Sequence, residues 1–180
     1  MTVYAPRGLN LITLLAALAL AAACDVRSRR IPNSLVLTIA VGGAVHAVVT
    51  GGLASAMASI LGMLAGVALM YFQFHRGLMG AGDVKLLGAI GAWTGPLGAV
   101  YTMLLGSLVG GVLSLAALCR VSASERARVT QNLISVAVLR RLELPEPSQL
   151  SRERGIPFGV ALAMAGAALA VLGPALGVLR

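Results

Sequence analysis

Acidic side chains are nearly missing from this chain. Of its 180 residues only six are Asp or Glu, and four of those, Glu125, Glu143, Glu146 and Glu153, share one late polar stretch. That leaves Asp25 and Asp83 alone among long apolar runs. Aromatic residues make up 4% of the chain and do not interleave its basic clusters, so the stacking platform of a single-stranded nucleic-acid binder is lacking. Cysteine occurs twice, at Cys24 and Cys119, with no CxxC pair and no His-rich run, which excludes a disulfide framework and a zinc site. Charged residues are only 11% against 58% hydrophobic, and the mean hydropathy of +0.92 lies far from the balance of a soluble domain.

What is present is hydrocarbon in blocks. Apolar runs that cross or nearly cross a bilayer of about 30 Å extend from Leu9 to Cys24, Ser34 to Thr50, Leu53 to Phe74, Leu97 to Leu118 and Ile156 to Leu179. A shorter one runs from Val84 to Trp93. Gly51 and Gly52 break what would otherwise be an overlong helix, and Thr94-Gly95-Pro96 forms a turn. The expectation is an all-α membrane protein, a bundle of about six transmembrane helices in one domain over residues 1–180. Residues 120–155 form a cytoplasmic polar segment whose apolar stripe at Leu133, Ile134, Ala137 and Val138 fits an amphipathic helix on the membrane surface.

The net charge of +8 follows from topology rather than from nucleic acid. Arg27, Arg29 and Arg30 cluster in one turn, Arg76 and Lys85 flank another, and most other basic residues fall in the late segment. If the first turn is cytoplasmic, counting passes brings 12 of the 14 Lys and Arg residues inside and both termini outside. The same count puts Asp25, which closes the first helix, and Asp83, which opens the fourth, at the same side of the membrane.

An ionisable residue beside hydrocarbon marks a functional site by default. Two carboxyls a few ångströms apart do not both ionise easily, so one stays charged while the other keeps its proton. Such a pair hydrolyses an amide with activated water: the charged member takes a proton from water and the protonated member hydrogen-bonds the scissile carbonyl. The pair titrates as a unit, which leaves open which aspartate plays which part. Gly80 and Gly82 lack Cβ and so let a neighbouring helix or an extended peptide approach Asp83. Lys85 reads as a snorkelling anchor or a contact to substrate, and Pro32 with Asn33 starts the second helix beside Asp25. His46 has no metal-ligand spacing to His75 and is expected to hydrogen-bond a neighbouring helix. No metal or other cofactor is expected.

The stretch GAGDVKLLGAIGAWTG, Gly80 to Gly95, resembles the GxGD signature of the type IV prepilin leader peptidases, which are intramembrane aspartyl proteases. Asp25 followed by Arg30-Ile31-Pro32-Asn33 resembles that family's first catalytic aspartate and its RIPN element, and Ile156-Pro157-Phe158-Gly159 resembles the start of its final helix. The resemblance implies that Asp25 and Asp83 are the catalytic pair. It implies cleavage of a basic leader from type IV or Flp-type prepilins and pseudopilins at the bacterial inner membrane, in association with pilus or secretion machinery and membrane lipid. The first helix is not preceded by a methyltransferase domain with cysteine pairs, so the chain resembles the compact peptidase-only branch of the Flp and tight-adherence type, and N-methylation is not expected.

Other readings compete. A small transporter or proton relay also uses intramembrane acids, but near the midplane on discontinuous helices, whereas both aspartates here sit at helix ends. A noncatalytic assembly subunit of a secretion system would need neither. Ala21-Ala22-Ala23-Cys24 resembles a lipoprotein cleavage site, to which Ala21 is a poor fit.

Overall fold

In the computed structural model of the chain, residues 8–76, 79–120 and 158–175 are described. They form four helices and no strand: α1 Leu9–Ser28, α2 Asn33–His75, α3 Ala81–Arg120 and α4 Phe158–Leu172. The first three are long and apolar enough to cross a membrane, and α4 is a shorter apolar helix. The polar segment at 120–155 lies outside the described residues beyond Arg120.

A straight helix of 43 residues would be about 65 Å long, twice the hydrocarbon thickness, so α2 and α3 must break. They break where the sequence carries glycine. Gly52 (φ 59°, ψ −150°) divides α2 into residues 33–51 and 53–75, and Gly95 (φ 72°, ψ −175°), followed by Pro96, divides α3. These backbone angles suit a residue without Cβ. Six helical segments result among the described residues.

Side-chain contacts give their directions. Lys85 meets Asn33 and Trp93 meets Ile39, so the start of α3 runs parallel to the first half of α2. In the second half of α2 the order is reversed: Ser59 reaches Ala92, and Gly66 faces Leu87. The chain therefore doubles back at Gly52. A Cβ on Gly91 would lie 3.3 Å from the Cβ of Ala99, although residues eight apart in one continuous helix are separated by about 12 Å. The chain doubles back at Gly95 too.

The helices meet through a core of Leu14 and Leu18 from α1, Ile39 and Met70 from α2, Leu86, Leu87, Ile90 and Trp93 from α3, and Leu162 from α4. Glycine closes the tightest contact. A Cβ on Gly62 would overlap the carbonyl oxygen of Gly91, and one on Gly66 would lie 2.6 Å from that of Leu87. The four-residue spacing of Gly62 and Gly66 thus serves packing within the bundle, where close backbone approach drives helix association. His46 stacks on Trp93 with ring centroids 5.3 Å apart, and its Nδ1 lies 3.0 Å from Nδ2 of Asn10 on α1. This is the interhelical hydrogen bond expected of it.

The described residues fall into two compact units divided between Val109 and Gly110. The first, residues 8–109 with 158–175, contains every contact given above. In the second, the end of α3, Ser114 Oγ donates to the Gly110 carbonyl at 2.7 Å. One expectation is corrected: the last helix ends at Leu172 and not at Leu179. Gly173 and Pro174 follow, and a residue before proline is pushed out of the α region.

Candidate active site

α1 ends beside its only acid. Arg29 adopts a left-handed conformation (φ 51°, ψ 29°) and its N–H donates to the Asp25 carbonyl at 3.0 Å, which stops the helix. Pro32 then sits at the N-cap of α2 with Asn33 as the first helical residue, the start expected for proline's fixed φ. Between the two helices Ile31 is buried, and it joins the core.

Ile31 is the pivot of the site. A Cβ on Gly82 would touch its side chain at 3.7 Å, and a Cβ on Gly159 would meet its Cδ1 at 3.0 Å. The end of α1, the start of α3 and the start of α4 therefore gather at one end of the bundle. Asp25 and Asp83 are brought together there, around Ile31. Asp25 is buried, only 7% exposed, while Asp83 is half-buried.

Each carboxyl is held by backbone N–H groups at a helix start. Asp83 lies in the first turn of α3, where its own N–H donates to the Gly80 carbonyl at 3.2 Å and its carboxyl accepts from the Gly80 N–H. Oδ2 of Asp25 accepts from the Val160 N–H of α4 at 3.2 Å, with the Gly159 N–H beside it. Sequence reasoning did not foresee this second clasp. The Pro157-Phe158-Gly159 element was legible as the start of a helix, but nothing local in it says which acid that start will meet.

The remaining candidates are placed less centrally. Lys85 is exposed and its Nζ donates to Asn33 Oδ1 at 3.1 Å, tying α3 to the start of α2. Gly80 is exposed and Gly82 half-buried, and the nearest neighbours of a Cβ at either, 3.6 and 3.7 Å away, are at ordinary contact distance. The packing of this bundle thus does not itself require glycine at these two positions. Cys24 lies inside α1, next to Asp25. Among the described residues no three His, Cys, Asp or Glu side chains cluster as metal ligands.

Residues 12–115, which include both aspartates, match the type IV leader peptidase family. The chain belongs to that family. Among curated relatives it is 29% identical over 177 residues to the prepilin leader peptidase/N-methyltransferase of Burkholderia pseudomallei, in strains 1026b and K96243 alike. That alignment covers 93% of this chain and 48% of the relative. It is 30% identical over 149 residues to the prepilin leader peptidase/N-methyltransferase of Aeromonas hydrophila, covering 79% of this chain and 42% of that one. The chain thus spans about half the length of the curated relatives it matches. No solved structure matches it.

Proposed function

We propose that this chain is a prepilin leader peptidase, an aspartyl endopeptidase that removes the basic leader of type IV or Flp-type prepilins and pseudopilins at the cytoplasmic boundary of the bacterial inner membrane. The observation that carries the reading is the convergence of Asp25 and Asp83 around Ile31 in a member of the type IV leader peptidase family. The six helical segments are six membrane spans, with the aspartate end facing the cytoplasm.

In the reaction one aspartate takes a proton from water as the water oxygen bonds the scissile carbonyl carbon. The other, protonated, hydrogen-bonds the carbonyl oxygen as it gains charge. Collapse of the tetrahedral intermediate breaks the C–N bond, and a carboxyl proton passes to the departing amine. Glycine at position 80, whose Cβ would stand 3.6 Å from Asp83 Oδ2, suits an extended peptide whose backbone approaches Asp83. Arginines at this end do not attract a basic leader electrostatically. Recognition then rests on packing of the substrate's apolar helix against the bundle.

Coexpression with candidate prepilins, read as a mobility shift on leader removal, tests the reading. Asp25→Asn and Asp83→Asn each abolish cleavage while the protein remains folded in the membrane. Substantial cleavage by both variants would falsify the dyad.

A further inference from the structure

Asp25 sits in the last turn of α1, a poor place for a carboxylate. The unpaired carbonyls at a helix C-terminus form its negative end, and an anion there is disfavoured. Asp83 has no such difficulty, because it lies in the first turn of its own helix, where N–H groups point at it. What α1 withholds from Asp25 is supplied by another helix. The Val160 N–H of α4 reaches Oδ2 at 3.2 Å, and Asp25 is a buried residue, so water does not substitute easily for that donor.

The fit around this oxygen is close. A Cβ on Gly159 would lie 2.6 Å from Oδ2 and 2.9 Å from Cγ of Asp25. The missing Cβ of Gly159 thus makes room for a carboxylate oxygen at overlap distance, whereas the Cβ of Gly80 would stand 3.6 Å from Asp83 Oδ2, an ordinary contact. Two independent features, a donor and a vacated volume, thus converge on one oxygen of one acid.

We propose that the first turn of α4, Gly159 with the Val160 N–H, is the positioning element of the catalytic pair: it fixes the Asp25 carboxyl through Oδ2. The inference rests on the peptidase reading.

The test compares the full chain with Gly159→Ala and Val160→Pro, in detergent or vesicles, on a prepilin peptide. The first variant pushes Oδ2 aside. The second deletes the N–H at a first-turn position, where helices tolerate proline. Both lower kcat by about 10²-fold, the effect of misplacing a reacting group by an ångström, with KM within about twofold of wild type. Met164→Ala, on the exposed side of the same helix, keeps wild-type kcat. Wild-type kcat in both Gly159→Ala and Val160→Pro, or losses that only track the folded fraction measured by thermal melting, overturn the proposal. If Val160→Pro does not fold, Gly159→Ala decides alone by its split between kcat and KM. A wild-type chain that cleaves no prepilin removes the peptidase reading and this inference with it, whereas wild-type cleavage retained in both variants removes the inference alone.

Discussion

Glycine has two different uses around the two aspartates, and they separate by experiment. At Gly159 a methyl group has no room, whereas at Gly82 it would rest 3.7 Å from Ile31 in ordinary contact. Gly82→Ala therefore folds with wild-type thermal stability. Gly80→Ala instead sets a methyl group 3.6 Å from Asp83 Oδ2, where it obstructs an extended substrate, and KM rises by about tenfold, a cost of about 1.4 kcal/mol, with a smaller change in kcat. Steady-state cleavage of a prepilin peptide measures this. Unchanged KM would mean that substrate reaches Asp83 from another direction. Asp25 and Asp83 themselves were legible because an acid in so apolar a chain has few structural uses, and the count of crossings between them is even. Ile31 and Val160 were not: one acts through an apolar contact and the other through a backbone N–H, and neither leaves a mark in residue type.

At the scale of the helices, the breaks were readable and the pairings were not. Gly52 and Gly95 stand where an apolar run outlasts the bilayer, so length and glycine together locate both reversals. The repeat of Gly62 with Gly66 marks a smooth helix face, but spacing along one helix says nothing about the surface it meets. That surface is Leu87, Gly91 and Gly95 of α3, in backbone contact. Gly62→Ala forces those two helices apart and costs about 1–3 kcal/mol, the range for overpacking a close contact. Gly111→Ala, where nothing lies within 4 Å of the added carbon, is neutral or slightly stabilising through helix propensity. Thermal melts of both variants in detergent check the contrast. Equal midpoints would contradict the observed approach of α2 and α3. The end of the last helix at Leu172 shows the opposite kind of misreading, in which hydropathy continued past a Gly-Pro pair that backbone sterics do not allow a helix to ignore.

Orientation belongs to the molecule as a whole, and the distribution of charge bears on it. In the unit that holds the site, the described residues include five Lys and Arg residues, Arg27, Arg29, Arg30, Arg76 and Lys85, all near the aspartate end of the bundle. The reversals at Thr50-Gly51-Gly52 and Thr94-Gly95-Pro96, at the other end, carry none. Basic residues accumulate on the cytoplasmic side, so the asymmetry supports the proposed orientation, in which the paired carboxyls face the cytoplasm. In a background with Cys24 and Cys119 replaced by alanine, Ser28→Cys and Arg76→Cys are expected to react with a membrane-impermeant thiol reagent only in inverted vesicles, and Thr50→Cys only in intact cells. The first two positions close α1 and α2, the helices that flank the route from Asp25 to Asp83. Labelling of Ser28→Cys and Arg76→Cys from opposite faces would place an odd number of crossings between the two acids, and no arrangement of the later helices could then bring them into one site.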